Sequence, residues 1–188
     1  MHMPKLHTFT MEGGGRDVVG GLGRERQQLS AAWKGCPVRR GGREVPMNYL
    51  LLVSHGTMAP GLHSVLRMLL GDRPDVLSHS MEDGVSADEY VAALQEVLEP
   101  VDDDDALIVL GDIVGGSPLT NALNVIAERG LLANTVALGG MNLPMAIAAL
   151  ELLDEGVDAT SVEQLLVMGK DGVRAVDLAI DDDEDEEL

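Results

Sequence analysis

Cysteine and aromatic residues are nearly missing from this chain of 188 residues, which has one Cys, one Phe, one Trp and two Tyr. The single Cys36 excludes an internal disulfide and any paired-cysteine metal or redox motif, as suits a reducing cytoplasm. With aromatics at 2% and hydrophobic residues at 45%, the core has to be aliphatic. No apolar run approaches the roughly 18–20 residues of a membrane span, so the chain reads as soluble, with no membrane insertion of its own. Positive charge is scarce and unevenly placed. Residues 1–46 hold 8 of the 13 Lys and Arg but only 4 of the 32 Asp and Glu. Residues 47–188 are left with 5 basic and 28 acidic side chains, a net charge of −23. Such a surface repels nucleic acid and anionic lipid, so a nucleic-acid role is a poor reading. P-loop, kinase signature and His/Cys/Glu ligand cluster are all missing, which argues against ATP and gives no reason to expect a metal or other cofactor.

What is present divides the chain. Residues 1–46 show no helical or strand periodicity and carry Gly13-Gly14-Gly15, Gly20-Gly21 and Gly41-Gly42. They lack the apolar stretch of a secretory signal and read as a disordered extension or as translated upstream sequence that the domain can do without. From Met47 the pattern alternates strand and helix over residues 47–180, and 181–188 form an acidic, disordered tail. Strands are expected at Tyr49–Val53, near Val76–His79, at Ala106–Leu110, at Thr135–Leu138 and at Val173–Leu178. A helix from Pro60 to Leu70 carries Leu62, Val65, Leu66 and Leu69 on one face, with Gly71 as its stop. The next opens on the capping box Ser86-Ala87-Asp88-Glu89 and runs to about Leu98. A third begins with Ser117 as N-cap and Pro118 in the first turn, and ends near Gly130. A fourth spans Pro144–Leu153, and a short fifth follows a second capping box, Thr160–Glu163. The fold class is α/β: a three-layer, doubly wound, mostly parallel sheet of four parallel strands plus a C-terminal edge strand that a dimer could exchange.

Parallel strands would bring three loops to one edge of the sheet: Ser54–Ala59, Asp112–Pro118 and Gly139–Asn142. That edge is where open α/β sheets hold their ligands. His55 ends the first strand beside a helix amino terminus, which favours an anion. A carboxylate such as Asp112, hydrogen-bonded to one ring nitrogen, would fix the tautomer and leave the other nitrogen free as nucleophile. Gly115-Gly116 allows close backbone approach, and the amino terminus at Ser117 offers N–H groups and a hydroxyl. Together these could accept a phosphoryl group on His55. Blander readings exist for each part. Asp112 could only close a turn. His63 falls opposite the apolar stripe and reads as solvent-facing, and His79 reads as structural. The ten Met residues read as aliphatic filler, and the acid runs Asp102–Asp105 and Asp181–Glu187 as solvated segments.

Four segments, in order, resemble the enzyme IIA domain of the mannose-type phosphoenolpyruvate-dependent sugar phosphotransferase system. They are Leu51-Leu52-Val53-Ser54-His55-Gly56 with Ala59; Gly111-Asp112 with Gly115-Gly116-Ser117-Pro118; Gly140-Met141-Asn142-Leu143-Pro144-Met145; and Gly169-Lys170-Asp171-Gly172-Val173. The resemblance covers residues 47–180. It implies a cytoplasmic phosphocarrier, a phosphotransferase component that acts as a homodimer whose last strand pairs with the partner subunit. It implies that His55 takes a phosphoryl group from phosphohistidine on HPr and passes it to a IIB subunit. The IIB subunit, a separate chain on this reading, serves a IIC/IID membrane permease. Asp112 would orient His55. Gly56, Thr57, Gly115, Gly116 and Ser117 would surround the phosphoryl oxygens. The N-terminal extension, the unusual acidity and the Asp-rich tail depart from the family pattern.

Two other readings share the opening strand-His-Gly. The phosphocarrier subunit of a dihydroxyacetone kinase system has this fold, but its corresponding loop lacks the Gly-Gly-Ser-Pro and Asn-Leu-Pro-Met segments. A small tetrapyrrole metal chelatase would make His55 a metal ligand and needs a second His across a cleft, for which only His63 and His79 are available. A non-catalytic regulator that keeps His55 as a sensor is a third.

Overall fold

Continuous apolar runs become strands covered on both faces. The protein is seen here as a computed structural model that describes residues 46–158 and 160–176. The expectations for residues 1–45, for the end of the last strand (Asp177, Leu178) and for the acidic tail lie outside the described residues. In chain order the elements are β1 (Asn48–His55), α1 (Met58–Leu70), β2 (Val76–Met81), α2 (Ala87–Val97), β3 (Ala106–Gly111), α3 (Ser117–Glu128), a 3-10 turn (Leu131–Asn134), β4 (Thr135–Gly139), α4 (Leu143–Glu155) and α5 (Ser161–Asp171). The four strands form one parallel sheet in the order β2-β1-β3-β4.

Strand pleat divides the core in two. Leu50 and Leu52 of β1 point to one face and, with Ile108 and Leu110 of β3, pack against α1, α4 and α5 through Leu66, Ala149, Leu153 and Leu165. Tyr49, Leu51 and Val53 point to the other and, with Leu107 and Val109, pack against α2 and α3 through Tyr90, Leu94, Leu119 and Ile126. Leu50 to Val53 are wholly buried, which a helix on each side of the sheet requires. Burying each such leucine contributes roughly 1.5–3 kcal/mol.

The expected elements form, with four differences of detail. The box at Ser86 is complete: its hydroxyl accepts from Glu89 N–H, and the Glu89 carboxylate accepts from Ser86 N–H. The box at Thr160 is not made, because the Thr160 hydroxyl and N–H both donate to the Asp158 carboxylate at 2.7 Å. Ser117 is not the N-cap of α3. That place belongs to Gly116, whose extended backbone turns its carbonyl to Thr120 N–H, and Ser117 is the first helical residue. His63 is not solvent-facing: it is half-buried, with Nδ1 2.9 Å from the Ser78 hydroxyl of β2. β2 is an edge strand with polar side chains, so α1 meets it with a polar residue, while Leu69 of the expected stripe is 52% exposed because, among the described residues, no strand lies beyond β2. Last, residues 173–176 follow α5 with no strand ladder, and Val173 and Val176 are exposed. A terminal strand needs a neighbour to pair with, and the described part of the chain pairs it with none.

Candidate functional site

The order β2-β1-β3-β4 reverses direction between β1 and β3. Successive connections leave β1 to opposite sides, so a crevice opens beyond the carboxyl ends of these two strands. His55 is the last residue of β1, and Asp112 follows the last residue of β3. Asp112 N–H still donates to the Val53 carbonyl at 3.2 Å, so the ladder runs one step past β3 and sets Asp112 beside His55. Its carboxylate then replaces a strand carbonyl. Oδ2 accepts from His55 N–H at 2.9 Å and lies 2.9 Å from His55 Nδ1, while Oδ1 accepts from Ile113 N–H at 2.9 Å. Burial pushes the Asp112 carboxyl up, but the hydrogen bonds from His55 and Ile113 outweigh it and hold the group below its ordinary value. An ionised Asp112 can only accept, so Nδ1 carries the proton and Nε2 is the free nitrogen.

The neighbouring residue serves the opposite face. Ser54 is fully buried, and its hydroxyl accepts from Ala59 N–H at 2.7 Å and meets Ser80 Oγ at 3.1 Å. It ties the first turn of α1 to β1, so the short Gly56-Thr57 connection places α1's amino end next to His55. Thr57 occupies the cap position of α1 without a side-chain cap bond, and Gly56 and Thr57 are both exposed.

The second helix terminus comes up against the ring. Gly115 turns with φ +75°, and a Cβ built on Gly116 would lie 2.8 Å from His55 Cε1 and 2.6 Å from Ile113 Cγ2. Only glycine lets the backbone rest against the imidazole here. Cε1 joins the two ring nitrogens, so the ring edge that carries the free nitrogen begins at an atom lying against the cap of α3. Ser117 and Leu119 N–H belong to the first turn of α3, where N–H groups lack helical partners, and Pro118 has none. Ser117 itself is exposed. Among the described residues no basic side chain hydrogen-bonds His55 or Asp112. An anion on Nε2 would be met by helix dipoles and N–H groups.

The structure thus brings together His55, Asp112, Gly115, Gly116 and the Ser117 backbone, with Gly56 and Thr57 on the α1 side. The other two motifs stand one layer back. Met141 N–H donates to the Gly111 carbonyl, and Gly139 leaves room only for Val114 of the Asp112 loop. Asn142 caps α4 through Met145 N–H and donates to the Gly169 carbonyl at 2.8 Å, while Gly172 lies against Pro144. Those motifs lock α4 to α5 and steady the loop that carries Asp112. His63 and His79 face other neighbours: His63 meets Ser78, and His79 Nε2 donates to the Tyr90 carbonyl at 3.2 Å with its ring 4.6 Å from that of Tyr90. Neither reaches across to His55 as a chelatase would need. Burial lowers the basicity of both. Tyr90 is a residue the sequence did not single out. It lies buried beneath this site, and its hydroxyl donates to the Pro118 carbonyl at 3.1 Å.

Known proteins resemble the chain over the same region. The profile of the family described as "PTS system fructose IIA component" matches residues 49–166. The mannose-specific EIIAB component of the PTS system from Escherichia coli (strain K12) is 25% identical over 131 residues, 68% of this chain. The chain spans only 39% of that relative's length. Among solved structures, the mannose/sorbose-specific IIA subunit from Enterococcus faecalis is 28% identical, with a TM-score of 0.58 over 71% of this chain and 98% of that one. The EIIA component from Streptococcus agalactiae shares the fold at 22% identity, with a TM-score of 0.60 over 69% of this chain and 97% of that one.

Proposed function

The chain belongs to the fructose- and mannose-type IIA components of the sugar phosphotransferase system, and from that premise we propose that it is a cytoplasmic phosphohistidine carrier. His55 accepts a phosphoryl group from phospho-HPr and hands it to a IIB partner of a IIC/IID permease. The observation that carries this reading is the 2.9 Å contact between His55 Nδ1 and Asp112, which leaves Nε2 free on a ring whose Cε1 lies against Gly116, the cap of α3. In the transfer the Nε2 lone pair forms a bond to phosphorus. The bond to the donor's ring nitrogen breaks, and that nitrogen keeps the electron pair. The His55 ring becomes positively charged with its proton still on Nδ1, and the Asp112 carboxylate balances that charge. Release to the acceptor reverses these changes. Ser117 and Leu119 N–H, and the Ser117 and Thr57 hydroxyls, receive the phosphoryl oxygens. We also propose that the protein dimerises, the segment after α5 pairing with the free edge of a partner's sheet.

Incubation with phosphoenolpyruvate, enzyme I and HPr tests the site. The chain should take up one acid-labile, base-stable phosphate, and His55→Ala should abolish it. Asp112→Ala should stay folded and transfer more slowly, by a factor on the order of 10–100, the usual cost of losing a partner that orients a ligating histidine. Ser117→Ala should cost less, because the backbone N–H groups remain. Label retained by His55→Ala but lost from His63→Ala or His79→Ala would sink the assignment.

A further inference from the structure

Resting on that phosphocarrier reading, we propose that Tyr90 is a positioning residue: its hydroxyl, bonded to the Pro118 carbonyl, holds the amino end of α3 at the distance from His55 that phosphoryl transfer requires. Tyr90 is on α2 and is 1% exposed. It is held from behind by β2, through the His79 ring at 4.6 Å and the bond from His79 Nε2 to its carbonyl. The hydroxyl reaches forward to α3 at 3.1 Å. Pro118 adjoins Ser117, so the restraint acts next to the N–H groups assigned to the phosphoryl oxygens. Contact between Gly116 and the imidazole leaves little slack on the other side. Phenylalanine would fill the same space and pack α2 on α3 equally well; what the hydroxyl adds is a fixed direction. It stays a donor at any working pH, because burial, aided by the charge of Asp112, pushes its ionisation up.

The molecule contains its own control. Tyr49 is buried too, and its hydroxyl donates to a proline carbonyl, that of Pro100, also at 3.1 Å. It lies at the amino edge of the sheet, far from His55. Tyr49→Phe removes the same kind of bond together with a weak 3.9 Å contact to Met47 Sδ, so its unfolding midpoint in urea should fall at least as far as that of Tyr90→Phe. Only Tyr90→Phe should lower the rate of phosphate uptake at saturating phospho-HPr, by about tenfold, with KM unchanged, since misplacement of about 1 Å in a reacting pair costs up to 100-fold. Its phosphohistidine ³¹P resonance should also move from the native position, and that of Tyr49→Phe should not. Equal rates and unmoved resonances in the two variants would overturn the proposal while leaving His55 as the carrier. A wild-type chain that takes no label would overturn the carrier reading and this inference with it. A second measurement covers a Tyr90→Phe chain that does not fold. In Tyr49→Phe protein made with 3-fluorotyrosine, the single ¹⁹F line should shift when His55 is loaded, and a stationary line would overturn the proposal.

Discussion

At the scale of single residues the site depends on one oxygen serving two bonds. Asp112 Oδ2 faces both the backbone N–H and the ring nitrogen of His55, so the carboxylate is fixed by the strand's end and the imidazole loses its bond to it on rotating. Gly116 closes the ring's other side. Gly116→Ala would set a methyl group 2.8 Å from Cε1 and push the imidazole off Asp112. We expect a folded protein whose phosphate uptake falls at least about tenfold, read in the same label assay. His63 and His79 make a separate prediction. Both are half-buried and less basic than a free imidazole at 6.5, so the unfolded chain binds protons that the folded one resists. Stability should drop as pH falls from 6.5 through the folded values. Replacing both by Gln should flatten that part of a urea-derived stability profile, and an unchanged slope would count against it. His55 and Asp112 were legible in the sequence because each ends an apolar run. Tyr90 was not: an aromatic residue at a core position of a capped helix reads as filler, and its partner lies 28 residues away. His63 was misplaced for a related reason, since an apolar stripe says nothing about a polar edge strand such as β2.

Among the elements, helix starts were easier to read than their caps. Ser86 and Glu89 form the box that their spacing announces, whereas Thr160 gives its hydroxyl to Asp158, a local competitor that a four-residue motif does not register. At α3 the cap moved by one residue, so Ser117 contributes one of the first-turn N–H groups that lack a helical partner. The last strand is the clearest limit. Val173-Arg174-Ala175-Val176 reads as a strand through its two valines, but pairing is a property of the neighbour as much as of the sequence. If a second copy supplies that neighbour, truncation after Gly172 should convert dimer to monomer or aggregate. The cut keeps α5 and its packing on Pro144 and Asn142. Light scattering that returned an unchanged dimer mass would exclude this edge as the interface.

For the molecule as a whole, parallel strands could be anticipated from helices between apolar runs, but the order β2-β1-β3-β4 could not. It is decided by which side of β1 each crossover packs on, and that order creates the crevice. Charge acts at this scale as well. With 5 basic against 20 acidic side chains among the described residues, the folded part repels itself more strongly when compact than when extended. Raising KCl from about 0.05 to 1 M shortens the Debye length from above ~10 Å to about 3 Å and should raise the melting temperature; a melting temperature that fell with salt would show that ion pairs outweigh the repulsion. The two buried tyrosine–proline bonds have a further consequence. Trp33 and Phe9 both precede Met47, so a chain begun at Met47 has Tyr49 and Tyr90 as its only aromatic chromophores. One phenol sits at each edge of the sheet, and both are shielded from water. The ultraviolet spectrum of such a chain would then be that of two phenols, one bonded at the start of α3 beneath the candidate site and one remote, so optical signals from the site come with an internal reference.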